Sequence, residues 1–226
     1  MSNTSTACEL DSSTLRRVSK ESSLDILINN AASQYPPVDE LTSEGYDLQF
    51  GTNVLGHFYF TQLLLPALLS AARDSPDGKA RVVHVASVGH EFVSGIDFDT
   101  LTGTPKRRTL HPTTLYFQSK FGNVLIANGF HRRYADQGLV SCSLHPGNLK
   151  FNAERHPSSI IRTMSIIVCT TQLGPSSVRC SVLFHRFCQN PLLPGPQLGA
   201  LTQLWAATCP EGVNFGGKVS RLLSCC

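Results

Sequence analysis

The stretch "LYFQSK" at 115–120 places Tyr116 four residues before Lys120. On a helix that spacing stacks both side chains on one face. A phenol beside an ammonium is a pair that can move a proton, because the ammonium favours the phenolate. The same spacing also fits a half-buried aromatic next to a solvated surface charge, and the pair alone does not decide between the two. Six further residues could join it. Asn53 precedes "VLGHFYF" and could equally be a helix N-cap. Ser87 ends "ARVVHVAS" and could equally be a turn former. Asn29 and Asn30 close the run "LDILINN", and Pro146 and Gly147 close "LVSCSLHPG". His84, His90 and His145 lie near the same places but have no ligand spacing, so each reads as a core or loop histidine and no metal site is expected.

These residues need elements that bring them together. "LDILINNAA" (24–32), "ARVVHVASVGH" (80–90) and "LVSCSLHPGNL" (139–149) are short apolar, β-branched runs that end in polar residues or Pro-Gly. Buried strands of a parallel sheet have this pattern. Residues 43–72 have helical apolar spacing, with good helix formers after Val54. Residues 114–138 form a long helical pattern closed by Gly138 as a C-cap. Strand, helix, strand, helix, strand predicts a doubly wound α/β fold with parallel strands. Ligands of such sheets bind beyond the carboxyl ends of the strands, and there Asn53, Ser87, Tyr116 and Lys120 could meet. Residues 158–174 and 198–212 are further helical stretches, whereas 175–197 has no clean period.

The bulk composition narrows the function classes. The chain has 226 residues, 41% hydrophobic and 15% charged, with a net charge of +3. Its Lys and Arg residues are scattered, which argues against a nucleic-acid surface. The polar start "MSNTSTACELDSST" has no apolar segment of a signal peptide. Runs such as "LLLPALL" are too short to span a bilayer, so no transmembrane segment is expected. Eight cysteines without a C-x-x-C spacing read as reduced thiols of a cytoplasmic protein. The terminal "SCC" does not fit a prenylation motif.

Taken in order, "NNAA", "NVLGHF", "HVASVGH", "YFQSK" and "HPGNL" resemble the motifs of the short-chain dehydrogenase/reductase family, in its retinol-dehydrogenase-like and WW-domain-oxidoreductase-like branch. The similarity covers roughly residues 8–172 and 198–218. It implies a Rossmann-like domain, NAD or NADP as cofactor, and interconversion of a small-molecule alcohol and carbonyl. Tyr116 would exchange the proton, Lys120 would lower the Tyr116 pKa and bond the nicotinamide ribose, and Ser87 would hold the substrate oxygen. Asn53 would position a water behind Lys120. Asp11, Asn30, Ala31, Pro146, Gly147 and Leu149 would join Tyr116 and Lys120 in holding the cofactor. The helix 114–138 would be the face of a homo- or hetero-dimer.

The chain also departs from that pattern. It has no G-x-x-x-G-x-G or G-x-G-x-x-G turn to cradle a pyrophosphate. The expectation is a single partial domain over 1–226, short of its first βαβ unit, with an insertion at 174–197 and an atypical tail at 219–226. Ala32 stands where the family has Gly, and its methyl would crowd the cofactor. An edge strand bearing Ile26 and Ile28 would follow from the missing unit. Two functions are therefore expected: an oxidoreductase with impaired activity, or a non-catalytic fragment that pairs with a full-length relative.

Overall fold

Strand β1 (Ile26–Asn29) opens a parallel sheet in a computed structural model that describes residues 22–147 and 196–220. The chain divides into two compact units, residues 1–147 with 201–226, and residues 148–200. The first unit carries the sheet and the described residues of the candidate site. Asp11, Leu149, the helical stretch 158–174 and most of the expected insertion lie outside the described residues.

The sheet runs β1-β2-β3-β4, with β2 at Ala80–Val85, β3 at Leu139–Leu144 and β4 at Val219–Ser220. All pairs are parallel: Ile28 faces Val83, Val83 faces Cys142, and Leu144 faces Ser220. The stretch read as an atypical tail, 219–226, therefore begins with a two-residue strand paired to β3. Among the described residues, the other edge of β1 has no strand.

Helices cover both faces, which is the doubly wound arrangement. On one face Leu27, Val82 and Leu139 pack against Leu64, Leu65, Leu68 and Ala72 of α1 (Leu48–Asp74) and Phe130 of α3 (Pro112–Tyr134). On the other, Val83, Val85, Cys142 and Leu144 meet Ala206 and Ala207 of α4 (Pro196–Thr208), with Ile26 and Ile28 packed against them. Strand alternation assigns successive residues to opposite faces. By length and composition α1 could cross a membrane. The buried core helix of an α/β fold meets the same criterion, and this helix spends its Leu64–Ala72 stretch on the sheet.

Local chemistry sets the helix ends. Asp47 caps α1, its Oδ1 accepting from the Phe50 N–H at 2.8 Å. Its Oδ2 pairs with Arg107 Nη2 at 2.9 Å, both side chains almost fully buried, and Arg107 lies on the short helix α2 (Pro105–Arg108). The guanidinium also donates to the Glu40 carbonyl at 2.7 Å, so the pair is well satisfied for a buried one. Helix α1 then passes through a π-helical turn, Gly51–Gly56, before regular α-helix from His57. Asn53 is thus inside the helix, not at its start, which corrects the N-cap reading. Helix α3 ends in a 3-10 turn closed by Gly138 at φ +87°, the left-handed conformation expected of a C-cap.

Candidate active site

The carboxyl ends of β1 and β2 bring the predicted polar residues together. Asn53 is fully buried. Its Oδ1 accepts from the Ser33 N–H at 2.8 Å, and its Nδ2 donates to the Ser33 carbonyl at 3.0 Å and to Ser119 Oγ at 2.9 Å. Ser119 in turn donates to the Tyr116 carbonyl at 2.8 Å. One side chain therefore ties the loop after β1 to the helix that bears Tyr116 and Lys120. Its placement in a π-helical turn fits the frequent use of such turns at functional sites.

Lys120 is 2% exposed, which rules out the solvated surface lysine. Its Nζ donates to the Val85 carbonyl at 2.9 Å, a group that Asn123 Nδ2 also reaches at 3.0 Å. Burial lowers its pKa to about 8, because a low-dielectric site disfavours the ammonium. Among the described residues the other two N–H positions of the ammonium have no hydrogen-bond partner, so the residue is equipped to hold a further acceptor.

Tyr116 is also buried. Burial raises its pKa, the nearby Tyr35 phenol raises it further, and a hydrogen-bonding interaction with Ser87 acts the other way. The expectation that Lys120 lowers it is not met in this geometry. The ammonium sits 5.6 Å from the Tyr116 ring centroid and desolvation of the phenol dominates. Ser87 is half-buried and its Oγ accepts from the Gly89 N–H at 3.2 Å, capping the turn Val88–Phe92. The turn-forming reading is thus met, and the same hydroxyl also interacts with the Tyr116 phenol. Gly89 is needed there: a Cβ would lie 2.4 Å from Phe117 Cδ1.

The expected cofactor residues are less uniform. Asn30 and Ala31 are exposed beyond β1, and Asn30 Oδ1 accepts from Gln203 Nε2 of α4 at 2.9 Å. Pro146 and Gly147 follow β3, with Gly147 at φ +91°. Behind them lies a polar layer that the sequence reading leaves as core histidine. His84 is fully buried, with Nδ1 3.3 Å from Asn29 Nδ2 and its ring stacked near Phe130. Burial lowers the His84 pKa to about 3. It lowers that of His57 to about 4, with Lys120 adding to the effect.

Several residues were missed. Gln49 accepts from the Tyr35 N–H at 3.0 Å and donates to the Pro112 carbonyl at 2.9 Å. Gln118 accepts from the Asp97 N–H at 2.7 Å and donates to Thr100 Oγ1 at 3.1 Å. Ser119 and Asn123 complete the set. Among the described residues no three metal-ligating side chains cluster.

Comparison with known proteins bears on the family and the fold. Residues 9–95 match the family model described as short chain dehydrogenase. A short-chain dehydrogenase/reductase of Armillaria gallica is 42% identical over 201 residues, covering 89% of this chain and 56% of the relative. An uncharacterized oxidoreductase of Schizosaccharomyces pombe is 36% identical over 197 residues, covering 86% of this chain and 51% of the relative. The chain thus spans about half the length of the curated relatives it matches. Among solved structures, a short chain dehydrogenase of Salmonella enterica serovar Typhi superposes with a TM-score of 0.55 at 17% identity, covering 92% of this chain and 67% of that one. The Pseudomonas aeruginosa RhlG/NADP active-site complex gives 0.53 at 20% identity, covering 93% and 71%. These last two show the Rossmann-like fold, and the sequence matches support the short-chain dehydrogenase/reductase family.

Proposed function

We propose that this chain, taken as the short-chain dehydrogenase/reductase that its sequence matches support, is an NAD(P)-dependent oxidoreductase that acts on small alcohols and carbonyls through Ser87, Tyr116 and Lys120. The observation that carries this is the convergence of Asn53, Ser119, Tyr116, Lys120 and Ser87 at the carboxyl end of β2, joined by the bonds described above. A nicotinamide cofactor would supply the hydride. The ammonium of Lys120 fits its ribose end, since it is buried with donors to spare. Asn30, Ala31, Pro146 and Gly147 would line the same end, with Asp11 and Leu149 as further expected contacts. The chain has no Gly-rich turn for the pyrophosphate end, so the fit concerns the nicotinamide half.

The residues divide the proton work. Burial keeps Tyr116 protonated at neutral pH, which suits it to donate its proton to a carbonyl oxygen, the reductive direction. Ser87 holds that oxygen as a preorganised donor. Lys120, held by Val85, returns a proton to Tyr116, and Asn53 fixes the loop and the helix that set this geometry. Replacing Tyr116 by Phe removes the donor and lowers kcat by about 10²–10⁴-fold. Turnover unchanged in Tyr116→Phe, measured as NADPH consumption with a panel of aldehydes and ketones, would exclude this mechanism.

Pairing belongs to the same reading. Leu125 of α3 and Phe58, Tyr59 and Leu63 of α1 are exposed apolar side chains, which favours a dimer through α3. A non-catalytic member paired with a complete relative would use the same face. Light scattering of the purified chain, alone and mixed with a full-length relative, tests both. A cytoplasmic location fits the free thiols of Cys142 and Cys209, and imaging of a fluorescent fusion tests it.

A further inference from the structure

Tyr35 is the one non-glycine residue with positive φ, +54°, among the described residues. A bulky aromatic rarely adopts that conformation unless its surroundings impose it. Here the constraint is visible. The Tyr35 N–H donates to Gln49 Oε1, and Gln49 Nε2 donates to the Pro112 carbonyl at the start of α3. Two residues earlier, Ser33 is bound through both its N–H and its carbonyl to Asn53. The loop after β1 is therefore stitched to α1 at two points, and through Gln49 to the helix that carries Tyr116.

The result of that constraint is a ring placed on Tyr116. The two centroids are 4.9 Å apart with the planes tilted by 55°. The row continues through Phe117, 6.3 Å from Tyr116, to Phe92, 5.3 Å from Phe117 and partly exposed. Tyr116 keeps only 8% of its surface exposed. The Tyr35 phenol also disfavours ionisation of Tyr116. Positive φ at a bulky aromatic costs more than an ordinary residue with negative φ in the same loop would, so the placement of the ring on Tyr116 is the feature that needs a reason.

Resting on the reading of Tyr116 as the proton donor, we propose that Tyr35 is the specificity-determining residue of the site: its ring screens Tyr116 and forms the wall against which a planar aromatic or conjugated carbonyl compound lies. A flat substrate can stack along the row of rings with its oxygen towards Tyr116, whereas a small aliphatic carbonyl gains little from them.

Two readouts separate this proposal from the reading beneath it. The first needs no turnover: nitration by tetranitromethane, with Tyr116 followed by peptide mass spectrometry. Tyr35→Gly removes the ring and tolerates positive φ, and Tyr35→Asn does so with a side chain retained, so a folding failure of one leaves the other. Both are expected to increase Tyr116 nitration severalfold over the wild-type chain, while Tyr35→Phe, which keeps the ring, stays at the wild-type level. Tyr116 equally unreactive in the folded Gly and Asn variants would overturn the screening role. The second is turnover of benzaldehyde against butanal with NADPH. The preference of the wild type for benzaldehyde is expected to fall by about three- to tenfold in Tyr35→Asn, mainly through KM, the size of one lost ring contact. An unchanged ratio would overturn the specificity role. Absence of turnover in every variant together with the nitration pattern above would instead reject the oxidoreductase reading and leave the screen in place.

Discussion

The two halves of α3 are both buried, for opposite reasons. From Val124 onward the inward side is apolar, with Val124 and Ala127 buried and Phe130 packed with Leu27, Leu68 and Val82. From Leu115 to Asn123 it is polar, with Tyr116, Gln118, Ser119, Lys120 and Asn123 all nearly excluded from water. The second half stabilises the fold by removing apolar surface from water. The first half takes on a desolvation cost for each polar group and offsets it with specific bonds to Val85, Asn53, Asp97 and Thr100. A helix that only filled space would not bury an ammonium with a single acceptor. The contrast separates the part of the helix that holds the fold from the part that carries the residues of the proposed function.

Phe130 gives the sharpest test of the apolar half. Phe130→Ala should cost about 3–5 kcal/mol in urea denaturation, through lost burial and the cavity left beside Leu68 and His84. A loss well under that would mean the second half is not the structural one.

Acid should act on the layer between the two halves. His57 and His84 titrate near their ordinary values in the unfolded chain but at about 4 and 3 when folded. Below about pH 6.5 the unfolded state binds the extra protons, so stability present above that pH is lost as the pH falls towards 4. A loss of roughly 2–3 kcal/mol for each histidine by pH 4.5 is expected, and His84→Gln should flatten the profile. A flat wild-type melting temperature between pH 7 and pH 4.5 would contradict the buried neutral histidines.

The polar half should respond in the reverse sense to Phe130. Lys120→Met removes a buried charge, and the Val85 carbonyl keeps its bond from Asn123. With the lysine lowered to about 8, the unfolded chain binds more protons between pH 8 and the ordinary lysine value. Wild-type stability therefore gains from this group as pH rises through that window, and below it the full cost is present. At pH 7 the variant should be more stable by up to roughly 2 kcal/mol, with that rise absent. Destabilisation instead would make Lys120 a structural residue.

Much of this was legible in the sequence. The three apolar runs 24–32, 80–90 and 139–149 contain the strands, and Gly138 closes the helix region as read, because buried parallel strands and C-caps leave local signatures. Tyr116 and Lys120 were legible through their helical spacing, and Ser87 through its place at a strand end. Asn53 was legible as a residue but not in its position: Asp47 caps α1 two turns earlier than "NVLGHF" suggests, and the π-helical turn has no sequence signature of its own. Gln49 and Tyr35 were not legible at all, since a helix-surface Gln and a loop Tyr look ordinary until the long-range bonds that constrain them are seen. The raised pKa of Tyr116 was missed for a related reason. Spacing reports that Lys120 is near, but only burial decides that desolvation outweighs it. The strand at Val219–Ser220, inside the stretch read as an atypical tail, was not legible because two residues are too few to show a period.

The most direct test of the division within α3 is thermal melting of the wild-type chain and Lys120→Met, each with and without saturating NADPH. The account predicts that NADPH raises the wild-type melting temperature, that the variant melts higher than the wild type without cofactor, and that NADPH shifts the variant little. A variant that melts lower than the wild type while keeping the full NADPH shift would contradict it, and Lys120 would then belong to the core and not to a site.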